Sequence, residues 1–306
     1  MLLIVNPRSA GGRVGKRWSA IESTLRGALG DFEHRHTEAP GHATVLCREA
    51  VERGVRDLVV LGGDGTLSEA LSGLFRDGRP IDAEVTLGLL PCGTGGDFRR
   101  TVEMPADLSQ AARRIARSQP RRIDIGRIRY ARDDGTDAER YFANIASFGI
   151  GGLVDRIVNR SSKALGGRVA FMVGTVRALS RYKNQRVRLA LDDGEPSEVV
   201  VNNVAVCNGK YFGGGMKIAP DARLDDGLFD VVVLGDLSLK DFVWSGRHLY
   251  RGTHLDLAEV RFARAARVRA EPAHPGDEVL LDVDGEQAGR LPATFDILPG
   301  ALRFRC

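Results

Sequence analysis

A chain of 306 residues, 43% hydrophobic and 27% charged, is long enough for two ordinary domains and can bury a sizeable core. Its net charge of +4 is mild and carried almost wholly by arginine, aromatics stand at 6%, and no zinc-finger or RNP-like pattern occurs, so no nucleic-acid partner is expected. There is no run of eighteen apolar residues, Met1 leads straight into Leu2-Leu3-Ile4-Val5, and four scattered cysteines form no CxxC pair; these features disfavour a membrane span, a secretory signal, a disulfide framework and a zinc ribbon, and lead us to expect a cytoplasmic protein. His34 and His36 read as surface residues on one face of a strand, not as metal ligands. The denser arginine stretch from Arg113 to Arg129 reads as a solvated helix face and strand edge, with attraction to anionic lipid head groups as the weaker alternative.

From Met1 to about Arg122, short β-branched runs alternate with helical stretches, the pattern of an α/β layer around a mostly parallel sheet. The expected strands are Leu2 to Val5, Phe32 to Thr37, Asp57 to Leu61 and Val85 to Leu90; the expected helices are Arg13 to Leu29, His42 to Arg53, Leu67 to Phe75 and Leu108 to Arg117. Ligands of open α/β sheets bind beyond the carboxyl ends of strands, so the turns Asn6 to Gly12, Gly62 to Thr66 and Pro91 to Asp97 are expected to converge on one site. After Arg122 the pattern becomes β-rich. Strands are expected at Ile123 to Tyr130, Tyr141 to Ser147, Arg186 to Leu191, Val199 to Cys207, Phe229 to Leu234, Leu257 to Ala270 and Val279 to Val283. Helical insertions are expected at Leu153 to Asn159, Arg168 to Arg181 and Leu239 to Leu249, and a closing strand, Ala301 to Phe304, is open to either half. The expected domains are 1–122, with 295–306 able to complete it, and 123–294.

Two familiar glycine motifs fail on spacing. Gly11-Gly12-Arg13-Val14-Gly15-Lys16 lacks the four-residue gap and the Ser or Thr of a Walker loop, and Ser68 stands where Gly63-Asp64-Gly65 would need a third glycine for a dinucleotide fingerprint. More specific is Leu61-Gly62-Gly63-Asp64-Gly65-Thr66. It follows an apolar strand and opens a helix, so its glycines let backbone amides approach phosphate oxygens while Thr66 caps the helix. A tight strand-to-helix turn would select the same residues, but two further loops of this kind, Asn6-Pro7-Arg8-Ser9-Ala10 and Pro91-Cys92-Gly93-Thr94-Gly95-Gly96-Asp97, are hard to explain by turn chemistry alone.

Together with Asn208-Gly209, Phe212-Gly213-Gly214-Gly215, Ala219-Pro220, Asp225-Asp226-Gly227 and Asp284-Gly285-Glu286, these loops make the chain resemble the diacylglycerol kinase catalytic-domain family, which includes bacterial soluble lipid kinases and sphingosine and ceramide kinases. The motifs stand in the family's order and cover nearly the whole chain; the GGDG block alone is shared with NAD kinases and phosphofructokinases. One departure is Gly96, where the family usually has Asn.

The resemblance implies an α/β N-terminal nucleotide-binding domain of NAD kinase or phosphofructokinase type, a β-sandwich C-terminal domain carrying the lipid site, and ATP between them. Carried over residue by residue, it implies a first phosphate loop of Asn6, Pro7, Arg8, Ser9 and Ala10, with Thr37 bordering the nucleotide. The second loop comprises Gly62, Gly63, Asp64, Gly65, Thr66, Leu67, Ser68 and Glu69, and the third includes Gly93 and Thr94. Asp226, with the carbonyls of Arg223 and Leu228, matches the family's structural magnesium site, although Asp-Asp-Gly is also an ordinary turn. The expected activity is ATP- and magnesium-dependent transfer of a phosphoryl group to a lipid hydroxyl, of diacylglycerol or of a sphingoid- or ceramide-type lipid. Asp64 and Asp97 are the candidates for organising the catalytic metal, and Asp284 and Glu286 for the acceptor side. The expected location is peripheral and reversible, at the inner face of the membrane; a homodimer is left open. The alternatives are a soluble NAD kinase-like enzyme and a non-catalytic nucleotide-binding regulator.

Overall fold

All four side chains of the first strand, β1 (Leu2–Val5), are buried, which requires cover on both faces of its sheet. The computed structural model describes residues 1–93, 95–132, 134–154, 182–236 and 246–306. Unit one comprises Met1–Ile125 and Leu298–Cys306, and unit two Gly126–Ile297.

In unit one, β1 is followed by α1 (Arg13–Lys16), α2 (Trp18–Leu29), β2 (Glu33–His36), α3 (His42–Glu52), β3 (Asp57–Gly62) and α4 (Asp64–Leu74). A small hairpin, β4 (Phe75–Arg76) and β5 (Arg79–Pro80), leads to β6 (Thr86–Pro91), α5 (Asp97–Thr101) and α6 (Leu108–Arg117). The sheet runs in the order β6, β3, β1, β2, every pair parallel, and residues Arg303–Arg305 of the chain's last strand add a parallel partner to β6. Apolar β3 and β6, each buried but for one end residue, sit in the middle; polar β2 forms the edge. Helix α3 packs on α4, and α2 on α6. Because the strands are parallel, the loops after β1, β3 and β6 leave from one edge of the sheet.

Unit two begins within β7 (Arg121–Ala131) and continues with β8 (Asp137–Phe142), β9 (Ile145–Gly149), β10 (Gln185–Leu191), β11 (Ser197–Val201), β12 (Asn203–Cys207) and β13 (Phe229–Leu234). Then come β14 (Val260–Ala265), β15 (Arg267–Pro272), β16 (Leu280–Val283) and β17 (Glu286–Arg305), whose last residues belong to unit one. One layer runs β14, β13, β12, β9, β16; the other contains β11, β10, β15, β17, β7, β8. Strand β17 belongs to both, pairing with β16 through 286–290 and with β15 through 293–296. The layers share a core in which Phe142 stacks on Phe229 and Phe148 on Phe295. The other face of β12 and β13 is buried too, against Ile218, Ala219, Ala222 and Leu249.

Several elements differ from expectation for local physical reasons. The helix expected over Arg13 to Leu29 breaks at Arg17, because the Gly15 amide donates to the Pro7 carbonyl (3.0 Å) and ties α1 to the first loop. Helix α4 starts at Asp64, not Leu67, so the glycine-rich block is itself the first helical turn. The strand expected from Leu257 to Ala270 is two strands: Asp192 Oδ1 accepts from the amides of Ala266 (2.8 Å) and Arg267 (2.9 Å), and the chain changes layer there. The closing strand is the end of the 20-residue β17, hidden in the sequence by Pro292 and Pro299-Gly300. The helical expectations over 155–159, 168–181 and 239–245 lie outside the described residues. Among the described residues no helix is long and apolar enough to cross a membrane.

Gly27 lies exposed inside α2 with nothing within 4 Å of where a Cβ would stand. Gly27→Ala should therefore stabilise the protein by about 0.5–1 kcal/mol, through lost unfolded-state entropy. Thermal denaturation should show a rise of about 1–3 °C; a fall would mean that the helix or its surroundings are misplaced.

Candidate active site

Asn6, the first residue past β1, has both ends of its side chain engaged. Its Oδ1 accepts from the Arg8 amide (2.9 Å) and shapes the first loop, while its Nδ2 donates to Thr66 Oγ1 (2.9 Å) and binds that loop to the first turn of α4. Thr66 Oγ1 accepts here, so its hydrogen is left to donate elsewhere. Ala10, Gly11 and Gly12 then run through left-handed backbone, and Arg13 Nε closes the loop on the Ala10 carbonyl at 3.0 Å. Ser9 belongs to the same turn, its amide donating to the Asn6 carbonyl.

The second and third loops touch backbone to backbone. The Cys92 amide donates to the Gly62 carbonyl at 2.7 Å, and a Cβ on Gly93 would lie 2.8 Å from Gly63 Cα, so Gly93 has no room for a side chain. Asp64 completes the junction. Its carboxylate accepts from the amides of Asp97 (2.9 Å) and Phe98 (3.4 Å), the first residues of α5. Asp97 is itself buried and pairs with Arg100 (2.8 Å), whose Nη1 also reaches the Gly95 and Gly96 carbonyls. Two carboxylates and one guanidinium thus meet where the loops cross. Burial pushes the Asp64 acid above the usual carboxylate range; the amides of Asp97, Phe98 and Gly96 and the charge of Arg100 oppose that shift. Burial also raises the Cys92 thiol, which argues against a thiolate nucleophile in this loop.

The remaining unit-one candidates fall into two groups. Thr37 is buried at the same sheet edge, its amide on the Val5 carbonyl (2.8 Å), and Gly65 lies in the first turn of α4. Leu67 and Ser68 are buried on α4, and Glu69 turns to α3, accepting from the Ala43 amide (3.2 Å) while its carbonyl takes the Thr44 hydroxyl (2.8 Å). Those three side chains serve helix packing. Thr94 lies outside the described residues.

In unit two the turn after β16 brings Asp284 and Glu286 together in different settings. Asp284, at φ 51°, accepts from the amides of Ile145 (3.0 Å) and Ala143 (3.4 Å) and so clamps the start of β9. Glu286 is half-exposed and takes one bond from Arg140 at 2.7 Å. Buried Asp282, which the sequence reading passed over, accepts from Ser147 Oγ (3.2 Å) and from the Gly285 amide (2.8 Å), fixing the turn from below.

The Asp226 turn is set differently from expectation. Asp226 Oδ1 accepts from the Leu228 amide (3.2 Å) and Oδ2 from Arg264, whose Nε also reaches Asp230 Oδ1 (3.1 Å). Arg223 points its guanidinium at Asp225 (3.3 Å). A guanidinium thus already engages one oxygen of Asp226, where a metal ion would be held. Among the described residues no three His, Cys, Asp or Glu side chains group as metal ligands. The loop junction offers oxygen donors for a divalent ion that arrives with a triphosphate, from Asp64 and from Asp97, whose amide bonds to the Asp64 carboxylate. Arg100, Arg140 and Arg264 were missed because their partners are set by tertiary pairing; only Arg100, three residues after Asp97, left a local signal.

An α/β unit with three converging loops, followed by a β-sandwich, has known counterparts. Residues 1–128 match the diacylglycerol kinase catalytic domain, and residues 144–306 match the YegS C-terminal NAD kinase beta sandwich-like domain. The diacylglycerol kinase of Bacillus subtilis is 29% identical over 295 residues, covering 96% of this chain and 91% of that protein. That of Mycobacterium tuberculosis is 30% identical over 308 residues, covering 98% and 93%. A crystal structure of a diacylglycerol kinase from Bacillus anthracis superposes with a TM-score of 0.71 at 25% identity, covering 99% of this chain and 95% of that one. The chain belongs to the diacylglycerol kinase catalytic-domain family, and it is a kinase.

The raised acidity constant of Asp64 has a signed consequence. The native state holds this proton more tightly than the unfolded chain, so the associated stability is full below the ordinary Asp value and is lost as pH rises through the native one. Asp64→Asn removes that loss. The difference in melting temperature, variant minus wild type, should become more positive between pH 4 and pH 8; a difference that is flat or falls with pH would show that Asp64 is not a buried, destabilised carboxylate.

Proposed function

We propose that the protein transfers the γ-phosphoryl group of ATP, with magnesium, to the hydroxyl of a lipid, diacylglycerol being the first acceptor to test and sphingoid or ceramide lipids the next. The observation that carries this reading is the junction of three loops at one sheet edge, with Asn6 bonded to Thr66 and Asp64 to the start of α5. The acceptor class is supported by the relatives named diacylglycerol kinase, which share nearly the full length of this chain.

Phosphoryl transfer asks a protein mainly for position and charge. The free amides of the first turn of α4 and the Thr66 hydroxyl would hold phosphate oxygens, and Arg8 and Arg13 lie on the first loop to offset their charge. Asp64 and Asp97 would hold magnesium or its waters, and the ion supplies charge neutralisation on the phosphates when bound. On the acceptor side, Glu286 is the better of the two carboxylates for taking or positioning the hydroxyl proton. It is half-exposed and carries a single cationic partner, whereas both oxygens of Asp284 accept backbone amides. Asp284 then acts by fixing the turn that presents Glu286.

Transfer of radiolabelled phosphate from ATP to a panel of lipids in mixed micelles, with NAD as a parallel acceptor, tests the reading. A labelled lipid and unlabelled NAD is the expected result; label in NAD alone would favour the NAD kinase-like alternative, and no turnover with any acceptor would favour a nucleotide-binding regulator. Within an active protein, Glu286→Gln should lower lipid phosphorylation by about 10²–10⁴-fold with ATP affinity nearly unchanged. Asp64→Asn should lower it by about 10²-fold or more while folding persists. Near wild-type turnover in Glu286→Gln moves the acceptor role to another group, and near wild-type turnover in Asp64→Asn reduces that residue to a helix cap.

A lipid acceptor also requires meeting a membrane surface. The net charge of +4 leads us to expect reversible binding to vesicles, tighter when they contain anionic lipid and weaker as salt rises. Equal cosedimentation with neutral and anionic vesicles at low ionic strength would remove the electrostatic part of this account.

A further inference from the structure

We propose that Arg264 is the built-in cation of the Asp226 turn, so that unit two closes this turn without a bound metal ion and the enzyme's need for a divalent cation is confined to the ion that accompanies the nucleotide. The observation behind it is a fork. Arg264 on β14 stands directly across the ladder from Asp230 on β13. Its Nε donates to Asp230 Oδ1 at 3.1 Å, and its Nη2 donates to Asp226 Oδ2. One planar guanidinium therefore satisfies two carboxylates that approach from the strand and from the turn preceding it.

Charge makes the arrangement necessary. Asp230 is only 3% exposed, and a carboxylate so placed needs a cation or a proton. Burial pushes the Asp230 acid upward and the negative charges of Asp226 and Asp221 add to that, while Arg264 is the positive group that opposes them. The second oxygen of Asp226 accepts from the Leu228 amide (3.2 Å), which ties the turn to the start of β13. The turn's other arginine, Arg223, is engaged by Asp225. A divalent ion bound through Asp226 Oδ2 would have to displace the Nη2 arm of the guanidinium from that oxygen. The half-exposed position of Arg264, 41% open on the edge strand, lets its stem reach across β14 while its head stays on the acids.

The test uses the full-length protein without nucleotide, so it is independent of which substrate the kinase takes. Melting temperature is measured in EDTA and in millimolar magnesium for the wild type, Arg264→Ala and Asp226→Asn, and binding of manganese is followed by electron paramagnetic resonance. The wild type should melt at the same temperature with and without magnesium and bind no manganese that Asp226→Asn abolishes. Arg264→Ala should melt lower by about 5 °C or more, because it leaves buried Asp230 unpaired, and should recover part of the loss when magnesium is added. The proposal is overturned if magnesium raises the wild-type melting temperature and Asp226→Asn abolishes that rise, or if the wild type binds one manganese that is lost in Asp226→Asn. If Arg264→Ala does not fold, the wild-type and Asp226→Asn measurements decide alone.

Discussion

A half-buried carboxylate shielded from water constrains everything around it, and in this protein that group is Asp64. Its two oxygens accept the amides that open α5, so the third loop cannot move without taking the second with it. The first loop is coupled to the same place through Asn6 and Thr66. Three loops separated by tens of residues become one surface because three parallel strands, β1, β3 and β6, end side by side and two side chains bridge their ends. Gly93 follows from the same geometry: a methyl group there would press on Gly63 Cα and force the loops apart.

Two carboxylate clusters in this chain are satisfied by different kinds of group. At Asp230 the opposing charge comes from a side chain, the fork of Arg264, which ties the strand to the turn before it. At Asp64 the compensation is partial: backbone amides and the nearby Arg100 oppose the burial cost without cancelling it, and the acid stays above its usual range. A site left under-compensated in this manner favours an incoming cation, which is what a magnesium-bound triphosphate supplies.

Much of this was legible in the sequence because its signals are local. The runs Leu2 to Val5, Asp57 to Gly62 and Thr86 to Pro91 are apolar and bounded by glycine-rich or polar turns, so the parallel sheet and the position of its loops could be read directly. Three kinds of feature could not. Partners in tertiary space, such as Arg140 for Glu286 and Arg264 for Asp226, are more than thirty residues away and carry no spacing rule. Strand breaks at Asn202 and Ala266 depend on distant groups: Asp192 takes the amides at Ala266 and Arg267, and the Asn202 amide reaches the carbonyls of Leu234 and Gly235. Residues near a motif can also serve packing instead of chemistry. Leu67, Ser68 and Glu69 continue the glycine block in sequence, yet helical geometry turns them to the core and to α3.

The central claim is that Asp64 holds the second and third loops together through the amides of Asp97 and Phe98, and amide hydrogen exchange at those two positions tests it most directly. Amides in the first turn of a helix as short as α5 have no intrahelical partner and exchange quickly unless something else accepts them. Both should be protected in the nucleotide-free wild type and lose that protection in Asp64→Ala, while the amides of β3 and β6 keep theirs. Fast exchange at Asp97 and Phe98 in the wild type, or protection that survives the substitution, would contradict the account.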